Sequence, residues 1–229
     1  MRQHRETMNI KNAKDGTGNM IRVLIADDHA IVRRGLKQIL AETRDIAVTG
    51  EAETGFQAIK IARQDTFDLM LLDISLPDKN GIEVLKQIKK EHPKLAVMML
   101  SMHTEHEFAV RALKAGASGY LTKQSAPALL VTAIRHVAAG KKYVSPALAE
   151  ELASSLDADT EQPPHATLSD REFQTLRLIA SGKTLSGIAT ELRLSPKTIS
   201  VYRSRLLEKL KLSNNSALTR YAIQNKLVD

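Results

Sequence analysis

The sequence predicts an α/β domain with a five-stranded, doubly wound parallel sheet, joined by a linker to a smaller all-α domain of four helices. Three observations lead there. Between Ile21 and Ala139, five short apolar runs alternate with five helix-like segments, the arrangement that gives a parallel sheet covered on both faces. The runs are continuously apolar rather than alternating, as strands buried on both faces are. After residue 166 no further strand-like run occurs, and helix-start signals follow one another instead.

In chain order, residues 1–19 are polar and aperiodic, and Asp15-Gly16-Thr17-Gly18-Asn19 suits a flexible tail ahead of the first strand. Strands are expected at Ile21–Ala26, Ile46–Ala52, Leu69–Asp73, Leu95–Leu100 and Gly119–Leu121. Helices are expected at Ala30–Glu42, Gly55–Arg63, Gly81–Glu91, Glu105–Ala115 and Pro127–Ala139. One more short helix opens at Ser145-Pro146 and runs to Leu156, with serine as cap and proline as first helical residue. Asp157 to His165 is acidic and contains Pro163-Pro164, which cannot continue a helix. The division is therefore a tail over 1–19, an α/β domain over 20–140, a linker with a short helix over 141–166, and a helical domain over 167–229.

The helical domain opens on Ser169-Asp170-Arg171-Glu172, a capping box, with Leu168 and Phe173 spaced as a hydrophobic staple. That helix ends at Ser181-Gly182. A short one covers Leu185–Leu192, and Ser195-Pro196 opens a third in which Ile199, Tyr202, Leu206 and Leu210 form an apolar stripe. Asn214-Asn215 caps a fourth, ending near Leu227. Two consecutive short helices joined by a tight turn, the second with a basic exposed face, make a helix-turn-helix pattern.

Composition narrows the function classes. At 229 residues the chain is long enough for two cores. With no cysteine it has neither disulfides nor thiolate metal sites, and no apolar run approaches the roughly 18 residues of a membrane span. A cytoplasmic protein without a membrane partner is expected. The formal net charge is +7, and from Ala166 to Asp229 eleven Lys/Arg stand against five Asp/Glu, so the basic excess sits in the helical domain and favours a polyanion there.

Chemistry concentrates where apolar runs end. Asp27 and Asp28 close the first run, Asp73 the third and Ser101 the fourth, and Lys123 follows the fifth. In an open α/β sheet, ligands bind outside the carboxyl ends of the strands. Neighbouring parallel strands would thus gather three carboxylates, a hydroxyl and an ammonium at one edge. A hard divalent cation takes oxygen ligands and usually one or two carboxylates, which Asp28 and Asp73 supply, with Asp27 acting directly or through water. A carboxylate partly neutralised by metal is a competent nucleophile toward phosphorus. Lys123 offers a compact cation and Ser101 a hydroxyl for a new phosphoryl oxygen.

At these positions the chain resembles the receiver domains of two-component response regulators. Asp27-Asp28-His29, Asp73-Ile74-Ser75-Leu76-Pro77 with Gly81, Ser101 and Lys123 fall where that family has its acidic pair, phospho-acceptor, switch hydroxyl and lysine. The resemblance covers about Ile21 to Ala139. It implies a flavodoxin-like fold, phosphoryl transfer from a histidine kinase to Asp73, and magnesium, with manganese as a substitute, held by Asp27, Asp28, Asp73 and the backbone carbonyl of Ser75. Ser101 and Tyr120 would form the switch pair, although Tyr120 by itself suits a core position better.

Leu168 to Leu227 resembles the LuxR-type helix-turn-helix, through Leu168-Ser169-Asp170-Arg171-Glu172, Ile179-Ala180-Ser181-Gly182-Lys183, Ile188-Ala189, Leu194-Ser195-Pro196-Lys197-Thr198-Ile199 and Lys209-Leu210. A receiver followed by this module is the architecture of the NarL/FixJ class of transcription regulators. The resemblance implies that Ser195–Leu210 lies in the major groove of double-stranded DNA. Lys183, Ser195, Lys197, Thr198, Ser200, Val201, Arg203, Ser204, Arg205 and Lys209 are the candidate contacts. Many relatives carry lysine where this chain has Ser200 and histidine where it has Tyr202, so base preference is not transferable. The resemblance further implies a homodimer when active, contact with RNA polymerase, and no enzyme activity beyond self-dephosphorylation.

Three other readings share parts of the pattern. An aspartyl phosphotransferase resembling haloacid dehalogenases would carry a second acid two residues after the nucleophile, where this chain has Ser75. A LuxR-type sensor of an apolar ligand would be poorly lined by Asp27, Asp28, Asp73 and Lys123. RNA reading by the helical domain fits badly with 3% aromatic residues, since single-strand readers stack bases on aromatic platforms.

Overall fold

The computed structural model describes residues 20–102, 106–146, 148–150 and 163–228. The expected N-terminal tail, the later part of the expected Ser145–Leu156 helix and most of the acidic linker lie outside them.

Five strands, β1 (Ile21–Ala26), β2 (Ile46–Ala52), β3 (Leu69–Asp73), β4 (Ala96–Ser101) and β5 (Gly119–Thr122), alternate with α1 (Ala30–Ala41), α2 (Gly55–Gln64), α3 (Gly81–Glu91), α4 (His106–Lys114) and α5 (Ala126–Ala138). The strands pair in parallel in the order β2-β1-β3-β4-β5. Because successive side chains of a strand point to opposite faces, each strand feeds two cores. Val23, Ile25, Leu69, Leu71, Met98 and Leu100 pack with Leu36 and Leu40 of α1 and Leu130 and Ile134 of α5. Leu24, Met70, Leu72, Val97 and Met99 pack on the other face with Ile59 of α2, Ile82, Leu85 and Ile88 of α3 and Phe108 of α4. Burial on both sides explains why these strands are apolar throughout rather than alternating.

The strand order reverses between β1 and β3, and the loops leaving two adjacent strands on opposite sides open a crevice there. Asp27 and Asp28 lie just past β1, and Asp73 is the last residue of β3. The fold thus brings two segments some 45 residues apart in the chain to one rim.

Beyond the sheet, a 3₁₀ turn (Pro164–Thr167) leads into α6 (Asp170–Ala180), α7 (Leu185–Glu191), α8 (Pro196–Leu210) and α9 (Asn215–Gln224). Three starts carry the expected cap, and Thr184 adds one that the sequence did not announce. The Ser169 side chain accepts from the Glu172 amide while Glu172 accepts from the Ser169 amide, and Thr184, Ser195 and Asn214 accept from the amides of Gly187, Thr198 and Ala217. Such caps satisfy amides that the helix leaves unpaired and contribute about 1 kcal/mol each. Ser145 also caps as expected: its Oγ accepts from the Leu148 amide at 3.3 Å, and residues 146 and 148–150 are helical.

The two halves pack together. α6 is buried along nearly its whole length, through polar as well as apolar residues. One side faces its own helices through Leu176 and Ile179. The other meets α3 and α4: Phe108 and Phe173 stack edge to face at 5.0 Å, and the Arg111 guanidinium sits 4.4 Å over the Phe173 ring. Arg111 also donates to the carbonyls of Leu168 and His165, Lys86 pairs with Asp170 at 2.8 Å, and the Asn80 amide donates to Gln174.

Candidate functional site

The acidic residues predicted from the strand ends do converge. Ligand atoms of Asp27, Asp28, His29 and Asp73 all lie within 4.8 Å of one another. Lys123, one residue past β5, reaches across the rim and places its Nζ 2.7 Å from Asp27 Oδ2 and 2.8 Å from Asp73 Oδ2. Its side chain is only 6% exposed, and Asp27 and Asp73 are 0% and 2% exposed. Isolated buried charges are expensive, so this arrangement persists because one ammonium is shared between two carboxylates.

Burial pushes the Asp73 carboxyl above the usual carboxylate range, the neighbouring Asp27 charge adds to that, and Lys123 opposes both. For Lys123, burial works against the charged form, but Asp73 and then Asp27 outweigh it and hold its pKa above that of an ordinary lysine. The net result is an acidic cluster with one cation already seated, short of full neutralisation.

Local structure holds the cluster in place. The His29 amide donates to Asp27 Oδ1 at 2.9 Å, and the His29 ring lies 2.8 Å from Asp28 Oδ1. Arg33, one α1 turn on, donates to the Asp27 carbonyl at 2.7 Å and pairs with Glu53. After Asp73 the chain turns sharply so that the Gly81 amide donates to the Ile74 carbonyl. A Cβ on Gly81 would stand 2.1 Å from the Asp73 carbonyl oxygen, so only glycine fits. Asn80 caps α3 through the Ile82 amide, and Asp78 binds the first amides of α2.

Ser75 lies in the loop that leaves β3 and is half-buried. Ser101 is buried and, instead of following the strand, is the last residue of β4, in register with Thr122; its carbonyl accepts from the Lys123 amide at 2.7 Å. Tyr120 is buried in the core on the α2, α3 and α4 side, consistent with the core role that sequence allowed it.

Sequence reasoning passed over Arg33, Asn80 and Arg193. Arg33 sits three residues before Leu36 on the buried face of α1, and a charge at a core-face position was the signal available. Asn80 stands directly before an apolar helical run, an ordinary cap signature. Arg193 precedes α8 and comes within 3.8 Å of Asp28, a contact with no local signature.

In the helical half, α8 buries Ile199, Leu206 and Leu210 and leaves Lys197, Ser200, Val201, Ser204 and Arg205 exposed, Val201 by 43%. The Ser200 and Ser204 hydroxyls donate to the carbonyls four residues earlier, Pro196 and Ser200. The Ser195 and Thr198 hydroxyls bond each other at 2.8 Å across the helix cap. Three of the expected cations have partners inside the chain: Arg203 donates to Asn215, Lys209 pairs with buried Glu172, and Lys183 pairs with Glu191. These pairings give them structural work that sequence did not foresee. The outward face of α8 stays exposed with the halves docked.

No helix among the described residues is long and apolar enough to cross a membrane. Residues 23–135 match the family model of the response regulator receiver domain, and residues 166–222 match that of bacterial regulatory proteins of the luxR family. The chain is 38% identical over 209 residues to the response regulator UvrY of Escherichia coli K12, covering 91% of this chain and 96% of that one. It is 38% identical over 211 residues to the response regulator GacA of Pseudomonas viridiflava, covering 92% and 99%. Among solved structures, RcsB of Salmonella typhimurium superposes with a TM-score of 0.66 at 29% identity over 90% of this chain and 98% of that one. RcsB of Salmonella enterica serovar Typhimurium bound to the promoter rprA in the presence of the phosphomimetic BeF3⁻ gives 0.62 at 29% identity over 89% and 98%.

Proposed function

The chain belongs to the NarL/FixJ class of response regulators, which join a receiver domain to a LuxR-type DNA-binding domain, and from that premise we propose how its residues divide the work. It is a phosphorylation-controlled transcription regulator. We take residues 20–140 as the receiver domain, 141–166 as the linker and 167–229 as the DNA-binding domain.

Asp73 is the phospho-acceptor. An ionised carboxylate oxygen of Asp73 attacks phosphorus; the new O–P bond forms as the bond to the donor's leaving group, the imidazole nitrogen of a kinase phosphohistidine, breaks, and the leaving nitrogen takes up a proton from water. The observation that carries this assignment is the Lys123 ammonium bridging Asp27 and Asp73. It opposes the burial that raises the Asp73 pKa and stands where it can follow charge onto a phosphoryl oxygen. Ser101, at the end of β4, supplies the hydroxyl for another oxygen, and Tyr120 is buried on β5 two residues before Thr122, the register partner of Ser101.

The donor set suits a hard divalent cation. Asp27, Asp28 and Asp73 converge with oxygen ligands, and the Ser75 carbonyl lies in the loop that follows Asp73. Magnesium, when bound, would supply charge neutralisation at the transferring phosphoryl group. The chain's own contribution is to hold Asp27 through His29 and Arg33, to keep the Asp73 loop tight through Gly81, and to exclude bulk water by burial.

In the DNA-binding domain, α8 enters the major groove. The helix start at Ser195 and Lys197 contacts phosphate, where the helix dipole favours an anion. Ser200, Val201 and Ser204 face the bases, and Arg205 reaches the backbone. The RcsB structures with two dimers bound to two DNAs support a dimeric, DNA-bound active form. A cytoplasmic location, a histidine kinase partner and contact with RNA polymerase complete the proposal.

The test is uptake of labelled phosphate from a small acyl-phosphate donor. The parent protein incorporates label; Asp73→Asn incorporates none. Label at the parental level in Asp73→Asn refutes the assignment.

A further inference from the structure

This inference rests on Asp27, Asp28 and Asp73 being a divalent-cation site. The turn between α7 and α8 is tightly built: the Arg193 amide donates to Thr190, the Leu194 amide donates to Ala189, and Arg193 takes a left-handed backbone with φ of 49°. That backbone fixes where the side chain leaves the turn. Its guanidinium Nη2 lies 3.8 Å from Asp28 Oδ2, across the boundary between the two domains. Asp28 thereby has His29 on one oxygen and Arg193 facing the other.

The surroundings distinguish this contact from a casual surface pair. A cavity of about 170 Å³ opens between the domains, lined by Asp28, His29 and Ser75 from the receiver and by Gln174, Arg177 and Glu191 from the DNA-binding domain. The DNA-binding domain therefore roofs the acidic site, and two of its arginines line or reach that space. Glu191, the one acid on that side of the lining, is already paired with Lys183. Docking itself is anchored elsewhere, by Phe108 on Phe173, Lys86 on Asp170 and Asn80 on Gln174. Arg193, 64% exposed, is not needed to hold the domains together.

We propose that Arg193 is a resident counter-cation of the acidic site, and that a divalent cation and the docked DNA-binding domain compete for Asp28. With Arg193 in place, part of the Asp28 charge is spent and like charge repels an incoming metal ion. Once the metal is held, the same repulsion acts on Arg193 and loosens the roof. Linkage makes the two effects equal in free energy: whatever docking costs metal affinity, metal costs docking. Metal loading thus biases the chain toward an open form before any phosphoryl group arrives.

The probe is manganese(II), counted as free ion by electron paramagnetic resonance in solutions of the full chain. Arg193→Gln is expected to bind about fivefold more tightly than the parent, the lower end of ordinary coupling between two sites, while Arg193→Lys stays near the parent. Small-angle scattering of the parent should show the radius of gyration rising over the manganese range that fills the site. Equal affinity in the parent and Arg193→Gln, or a radius of gyration indifferent to manganese in the parent, overturns the competition alone. Absence of manganese binding from parent and variants alike removes the cation site itself, and the inference with it.

Discussion

Replacing Lys123 with methionine isolates the electrostatic core of the account, because the side chain keeps its length and apolar stem and loses only its charge. The ammonium sits 2.7 Å from Asp27 and 2.8 Å from Asp73, and all three groups are nearly sealed from solvent. Removing one partner from a buried ion pair costs about 3–5 kcal/mol, since the remaining charge is left uncompensated. Two carboxylates are left here, but one can escape by binding a proton, so the loss depends on pH. The Asp73 pKa is already raised by burial and by Asp27, and losing Lys123 raises it further. A folded-state pKa above the unfolded value means the native state binds more protons, so its stability falls as pH rises through that window. Each pH unit of descent within it returns up to about 1.4 kcal/mol. With metal chelated, urea unfolding followed by circular dichroism should show Lys123→Met destabilised by about 3 kcal/mol at pH 7.5, the loss shrinking as the pH is lowered. Equal stability of variant and parent at pH 7.5, or a loss that does not change with pH, refutes the counter-ion argument.

Gly81→Ala places a methyl group 2.1 Å from the Asp73 carbonyl oxygen, and backbone rather than a flexible side chain must yield. A loss of about 2 kcal/mol or more, read as a lower thermal midpoint, is expected along with slower labelling of Asp73; an unshifted midpoint contradicts the close approach. Lys197→Ala should weaken DNA binding regardless of sequence and lower the slope of log affinity against log salt by about one unit. An unchanged slope removes the phosphate contact. By contrast, Lys209→Ala should act first on stability, because its partner Glu172 belongs to the capping box of α6. Glu172 is held below the usual carboxylate range: burial opposes this, and Lys209 and Ser169 outweigh it. Its contribution is present above the unfolded carboxylate pKa and lost as pH falls through the lower folded value. In urea unfolding, parent and Lys209→Ala should therefore converge in acid, and a gap that stays constant as the pH is lowered contradicts this.

What sequence disclosed here was local or periodic. The central strands β3 and β4 stood out because burial on both faces makes them apolar nearly along their length, whereas β2 at the sheet edge carries Thr49 and Glu51, and the helix starts at Ser169, Ser195 and Asn214 stood out because caps are short-range signals. Asp27, Asp28, Asp73 and Lys123 were legible as strand-end residues, and the strand order then brought them together. Ser101 was placed one residue outside its strand, since pairing with Thr122 on β5 extends β4 by a residue that no periodicity marks. The features that sequence did not show all depend on partners elsewhere in the chain. Lys183, Arg203 and Lys209 looked like free cations for DNA until tertiary structure supplied Glu191, Asn215 and Glu172. Asp170, Arg171, Gln174 and Arg177 give α6 a polar face that suggests solvent, yet docking on α3 and α4 buries it. Arg193 met Asp28 for the same reason. A polar helix face is ambiguous between water and a polar interface, and sequence alone does not separate them.

The most direct measurement is DNA affinity by fluorescence anisotropy, on a fragment selected by the chain from random sequence, with and without a small acyl-phosphate donor. The account predicts a donor-dependent change of at least about fivefold for the parent, the usual scale of coupling between sites, and none for Asp73→Asn. A donor response of equal size in Asp73→Asn would place control of DNA binding outside the Asp27, Asp28, Asp73 and Lys123 cluster and contradict the account.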